Sequence, residues 1–165
     1  MDAITCLKTR RSIRAYAETP VAQDIVEDIV DCARLAPTAM NRQPWTFIAI
    51  REQATRQRLA AIVEHAPFLA QAPVCVAVFC AGSEFWVEDG SAAIENLLLA
   101  AHAHGLGACW VAGYQLPYTE TIRELLGGPP DARLLALVTV GYAAESPAPD
   151  KRALADVLRW ERFGK

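Results

Sequence analysis

Asp89-Gly90-Ser91-Ala92-Ala93-Ile94-Glu95-Asn96-Leu97-Leu98-Leu99-Ala100-Ala101-His102-Ala103-His104-Gly105 reads as a helix with almost no polar face. Asp89 is a suitable N-cap, and Gly105 ends the run by admitting the left-handed backbone that closes helices. A helix apolar all round is buried on all sides. In a chain of 165 residues it becomes a central element packed partly against a second subunit. Glu95 and Asn96 then lie in a largely buried element, and each needs a partner, for which a neighbouring backbone or helix would serve.

Outward from this helix, strand and helix patterns interleave without strict alternation. A first helix is expected over roughly Ala3 to Thr9. Thr19-Pro20 supplies a cap and first-turn pair, and Ile25, Ile29 and Ala33 recur every four residues in an amphipathic helix to about Leu35, stopped by Pro37. Trp45 to Ile50 is a strand, held extended at its start by Gln43-Pro44. A more polar helix from about Glu52 to His65 precedes a second strand, Val74 to Cys80. After the central helix come a short strand (Ala108 to Val111), a helix (Pro117 to Leu126), a strong strand (Leu134 to Val140) and a closing helix (Ala153 to Arg162). The pattern predicts one α+β domain, a sheet of four or five strands with helices on its faces.

Composition narrows the function classes. The formal charge is −3, which argues against general nucleic-acid binding. Mean hydropathy is +0.14, apolar for such a chain, yet its apolar runs are too short or proline-broken to span a bilayer. The surplus apolar surface fits a homodimer. The first twenty residues show no apolar signal core, so a cytoplasmic address is expected. The five cysteines (6, 32, 75, 80 and 109) contain no C-x-x-C pair, and Cys75 and Cys80 fall on opposite faces of one strand. They read as reduced, mostly buried thiols. His102 and His104, two apart on a helix, do not face each other. There is no P-loop, no G-x-S-x-G and no metal-ligand cluster, and Gly105-Leu106-Gly107 follows a helix rather than a strand, against a Rossmann site. With no nucleophile or acid–base pair in view, catalysis would draw its hard chemistry from a bound cofactor.

Two segments supply ligand-binding chemistry. Arg10-Arg11-Ser12-Ile13-Arg14 places three guanidiniums and a hydroxyl within five residues of an acidic chain. Guanidinium forks match phosphate oxygens two at a time, although a solvated basic terminus has the same composition. Pro37-Thr38-Ala39-Met40-Asn41-Arg42-Gln43-Pro44-Trp45 is a stiff loop whose two prolines bracket small residues and an asparagine able to adopt positive φ. Asn41 offers both donor and acceptor, as the mixed edge of a flavin or nucleobase requires, or it serves as a structural loop residue.

In this order, these two segments, Glu95 to Ala101, and Gly141-Tyr142-Ala143-Ala144-Glu145-Ser146-Pro147 with Arg152 resemble the FMN-dependent nitroreductase family. The resemblance spans nearly the whole chain. It implies a three-layer sandwich, a central mixed sheet of four to five strands flanked by helices, in a domain-sharing homodimer. Arg10, Arg11, Ser12, Arg14 and Arg152 would hold the phosphate and ribityl tail of FMN. Pro37, Thr38, Ala39 and Asn41 would approach the flavin of the other subunit, and the backbone at Ala112 and Gly113 would approach its reactive nitrogen. No side chain would be catalytic in its own right. The implied activity is electron transfer from NAD(P)H to a small aromatic acceptor such as a nitroarene or quinone, by a ping-pong mechanism. Dehalogenation or azoline oxidation on the same fold, or a flavin carrier without turnover, are the alternatives.

The chain departs from the family pattern twice. The helical excursion that covers the flavin in longer members is replaced by the short link Ala81 to Glu88, in which Phe85 and Trp86 are candidates for a pocket wall or for core packing. A lysine common two residues before the closing arginine is replaced by Asp150, with Lys151 adjacent.

Overall fold

A computed structural model of the chain describes residues 1–163. The elements are α1 (Ala3–Thr9), α2 (Gln23–Arg34), β1 (Trp45–Ile50), α3 (Gln53–Ile62), β2 (Val74–Cys80), α4 (Trp86–Ala103), β3 (Gly107–Ala112), α5 (Thr119–Leu125), β4 (Arg133–Gly141) and α6 (Leu154–Val157). Single 3₁₀ turns lie at Ala39–Asn41 and Pro67–Leu69.

The four strands form one sheet in the order β1-β2-β4-β3, and every strand pair is antiparallel. The mixed sheet implied by the family resemblance is therefore antiparallel among its named strands. Its parallel pairing is one bridge, Ser12 to Ala108, where the N-terminal segment runs along the free edge of β3.

All seven residues of β2 are buried, which makes it a central strand covered on both faces. Val74, Val76, Val78 and Cys80 point into a core shared with α2 and α4; Cys75, Ala77 and Phe79 point into a second core with Leu59, Leu69 and Ile122. Cys75 and Cys80 thus occupy opposite faces, as the strand period requires. The result is three layers, helices on either side of a sheet.

α4 is the spine of the first core. Ile94, Leu97 and Ala101 are fully buried, and burying a side chain the size of Ile94 or Leu97 contributes about 1.5–3 kcal/mol. Asn96 donates its amide to the Cys32 carbonyl at 3.2 Å, the ordinary partner a polar group here requires.

Most element boundaries shift by one to three residues from those expected, α3 ending at Ile62 rather than His65 and α5 starting at Thr119 rather than Pro117, and three differences have a physical reason or consequence. α2 begins at Gln23, after an extended Ala22, rather than at Thr19-Pro20. Val21 is buried in the core, so the chain stays extended past Pro20 to deliver it. α4 begins at Trp86, which puts Asp89 inside the first turn rather than at the cap. The closing helix is one turn, Leu154–Val157, and does not continue to Arg162. Every residue from Lys151 to Phe163 is exposed, and a short helix with no tertiary contact is unstable.

Candidate functional site

The basic segment is fixed to the sheet edge by its backbone. Ile13 donates its N–H to the Ala108 carbonyl at 3.0 Å, Ala17 to Tyr142 at 2.9 Å, and Ala144 returns a bond to Ala15 at 2.9 Å. The buried Tyr16 hydroxyl lies 2.5 Å from the Ile13 carbonyl oxygen and 2.7 Å from Thr139 Oγ1. Close approach requires Gly107: a Cβ there would stand 2.6–2.9 Å from Ile13. Glu145 completes the attachment, one carboxylate oxygen accepting the N–H groups of Arg14 and, at 3.1 Å, Ala15.

With the backbone held, the side chains converge. Arg10, Arg11, Ser12 and Arg14 line a cleft of about 570 Å³, closed on its other side by Pro147, Ala148, Pro149 and Lys151. An adjoining cleft of about 410 Å³ shares Arg10 and Arg11 and runs over Leu98, His102, Leu106 and Ala108. Arg10 Nε lies 3.7 Å from Glu95 Oε1 on α4, and Arg11 donates to the Lys8 and Arg10 carbonyls. His102 bonds Thr9 Oγ1 at 2.8 Å; its pKa is lowered by burial first, then by Arg10 and Arg11. This end of the site carries a surplus of positive charge with guanidinium forks, the chemistry that receives a phosphate.

Arg152, expected in the same cradle, lies outside the residues lining either cleft. Its guanidinium donates to the Asp156 carbonyl at 2.8 Å. Of the two adjacent basic residues, Lys151 is the one that lines the cleft.

The Pro37–Pro44 loop holds an unusual backbone. Met40, Asn41 and Gln43 have φ of 53°, 54° and 49°, a region L-residues seldom occupy and one that concentrates at functional sites. Asn41 accepts the Gln43 side-chain amide on Oδ1 at 3.1 Å, and Thr38 Oγ1 accepts the Gln43 N–H at 3.3 Å. The Ala39 N–H donates to Asp89 on α4 at 2.9 Å. Asp89 and Glu95, six residues apart on one helix, differ by about 9 Å in height and face different directions. The loop and the basic segment therefore occupy different stations on α4, and neither cleft around Arg10 includes a residue of the loop.

At the end of β3 the two expected backbone positions differ in availability. The Gly113 N–H is already donated to the Leu135 carbonyl at 2.9 Å. Neighbouring amides alternate across a strand, so the Ala112 N–H points to the outer edge of β3, opposite β4. Ala112 is exposed and Gly113 buried, which makes Ala112 the accessible donor of the pair. Tyr118 and Thr119 fix this turn by donating to the carbonyls of Ala112 (2.7 Å) and Gly113 (2.5 Å).

Of the two aromatics in the short link, Trp86 is core: buried, edge-on to Tyr114 at 5.0 Å, with Arg133 over its ring at 5.4 Å. Phe85 is 40% exposed. The sequence reading assigned no role to Tyr16, Glu145, Lys151 or Tyr114, and it read Asp89 only as a cap. These act through contacts far along the chain, for which no local pattern exists; Lys151 alone carried a hint, from its place beside Asp150. No cluster of metal-ligating side chains occurs among the described residues.

The nitroreductase family matches residues 7–73 and 63–142. A Methanothermobacter thermautotrophicus protein, whose name pairs NADH dehydrogenase with NAD(P)H nitroreductase, is 37% identical over 153 residues, covering 89% of this chain and 80% of its own. An FMN-dependent nitroreductase of Clostridium difficile superposes with a TM-score of 0.91 at 27% identity, over 97% of this chain and 99% of that one. A Desulfovibrio desulfuricans protein solved in complex with FMN gives 0.89 at 30% identity, over 99% of each chain.

Proposed function

The chain belongs to the nitroreductase family, and from that premise we propose that it is an FMN-dependent oxidoreductase acting between NAD(P)H and a small aromatic acceptor. The observation that carries this reading is the convergence of Arg10, Arg11, Ser12, Arg14 and Lys151 on one cleft. The donor set fits the phosphate end of FMN: fixed guanidinium forks, a hydroxyl and an ammonium, on a backbone lashed to the sheet. When bound, FMN would supply the redox chemistry, taking hydride from NAD(P)H and passing electrons to a nitroarene or quinone in a ping-pong sequence.

The protein's own part is binding and orientation. Arg10, Ser12, Arg14 and Lys151 hold the anionic tail. The outward N–H of Ala112, at the free edge of β3, is the backbone donor for the ring, in place of Gly113. Pro37, Thr38, Ala39 and Asn41 lie away from the clefts of their own chain, so they serve the flavin of a second copy in a homodimer. Exposed apolar side chains at both ends of the chain, among them Ile4, Leu7, Leu154, Val157 and Trp160, supply surface for that association. Among the described residues no helix is long and apolar enough to cross a membrane, and a cytoplasmic enzyme is part of this reading.

The test is the visible absorption spectrum after loading with FMN and removing the excess. Retained flavin bands that bleach on anaerobic addition of NADH or NADPH are expected. Flavin that neither nucleotide reduces would replace the enzyme with a carrier, and no retained flavin would overturn the reading.

A further inference from the structure

Asp89 is one of the few buried charged side chains outside the cleft, only 4% exposed. One carboxylate oxygen accepts the Ala39 N–H at 2.9 Å, and the other accepts the Ser83 hydroxyl at 3.3 Å. Ser83 Oγ in turn accepts the Phe85 N–H at 3.1 Å. A single carboxylate on the central helix thus ties together the Pro37–Pro44 loop and the short link before α4. The same two segments meet again where Ala81 donates to the Pro44 carbonyl at 2.9 Å. The loop needs such an anchor, because three departures to positive φ within four residues, at Met40, Asn41 and Gln43, cost free energy that surrounding contacts must offset.

We infer that Asp89 is a positioning residue for flavin binding: it holds the loop that meets the other subunit's flavin, and so sets FMN affinity in a site it does not touch. This rests on the function proposed above. On the loop the element it fixes is Ala39, whose N–H is the donor; its second bond, from the Ser83 hydroxyl, holds the link before α4. An asparagine at this position keeps an acceptor oxygen for Ala39 and a polar group for Ser83, whereas an alanine keeps neither.

The experiment is an FMN titration, by quenching of flavin fluorescence, of the intact protein and of D89A, D89N, A39P and D89A/A39P. Proline at 39 removes the donor, and because it also changes a residue placed beside the flavin it is read only against the double variant; Thr38, at φ −136° and ψ 154°, already has the backbone a residue before proline adopts. D89A is expected to weaken FMN by about tenfold or more, and D89N to stay within about threefold of the parent. The double variant should be no weaker than the worse single one, since both remove the same bond. Parent-like affinity in D89A, or losses that multiply in the double variant, would overturn the inference. If D89A does not fold, D89N and D89S decide: a parent-like D89N with a weakened D89S, whose shorter side chain does not reach the Ala39 N–H, supports the inference, and any other pairing overturns it. Failure of the parent protein to bind FMN would instead overturn the proposed function.

Discussion

Arg10 stands 3.7 Å from Glu95, so the first guanidinium of the basic segment is paired with the central helix that crosses beneath it. Both side chains are partly exposed, and such a pair is worth at most about 1 kcal/mol in stability. Its use is orientation: contact at Nε leaves the terminal nitrogens of the fork for the cleft. Arg10→Ala should therefore leave the unfolding midpoint in urea nearly unchanged while weakening FMN by about tenfold or more in a binding titration. Unchanged FMN affinity would remove Arg10 from the site.

Lys151 and Arg152 should separate cleanly. Lys151 lines the cleft, while Arg152 donates to the Asp156 carbonyl. Lys151→Ala is expected to weaken FMN several-fold and to flatten the salt dependence of binding, as loss of one phosphate-facing charge does. Arg152→Ala should bind FMN like the parent. The reverse order in a titration at two ionic strengths would restore Arg152 to the cradle.

Gly107 permits the basic segment to lie against β3. A methyl group there would meet Ile13 Cβ at 2.7 Å, an atom that cannot swing aside. Gly107→Ala should cost about 1–3 kcal/mol in urea unfolding and lower FMN affinity as well, because the same shift displaces Ser12. A variant as stable as the parent would mean the edge yields freely.

Stability should fall at alkaline pH. Burial pushes the Cys75 and Cys80 thiols up to about 12, with Asp89 adding to the effect at Cys80, and burial raises Tyr16 strongly too. Folded pKa values above the unfolded ones mean that the folded state keeps its protons, so this stability is complete below about pH 8.5 and is lost as pH rises from there toward 12. Each thiol contributes a slope of up to about 1.4 kcal/mol per pH unit. Urea unfolding at pH 7, 9 and 10.5 should show the decline, and Cys75→Ala should make it shallower. A flat profile would contradict the burial of these groups.

The layout of the fold was legible because periodicity reports burial directly. The apolar run at Val74 to Cys80 read as a strand, and the apolar helix around Leu97 as central; that β2 is covered on both faces came from the structure. Element ends were less legible. Thr19-Pro20 is a good local cap, but burying Val21 overrides it; the closing segment to Arg162 has helical composition but is exposed throughout on its own chain.

The sequence by itself determined the α+β order, the apolar central helix (its core-facing side buried and the rest half-exposed in the single chain), and the presence of a basic segment and a stiff proline-bounded loop, since each follows from residues close together in the chain. Only the tertiary structure decided where the candidate groups lie and which of them are already bonded. It put Lys151 rather than Arg152 on the cleft, left Ala112 rather than Gly113 with an outward amide, and turned Asp89 from a helix cap into the anchor of a loop fifty residues away. These choices depend on which way a strand edge faces and which carbonyl is already taken, and those follow from packing between distant segments, which local pattern does not record.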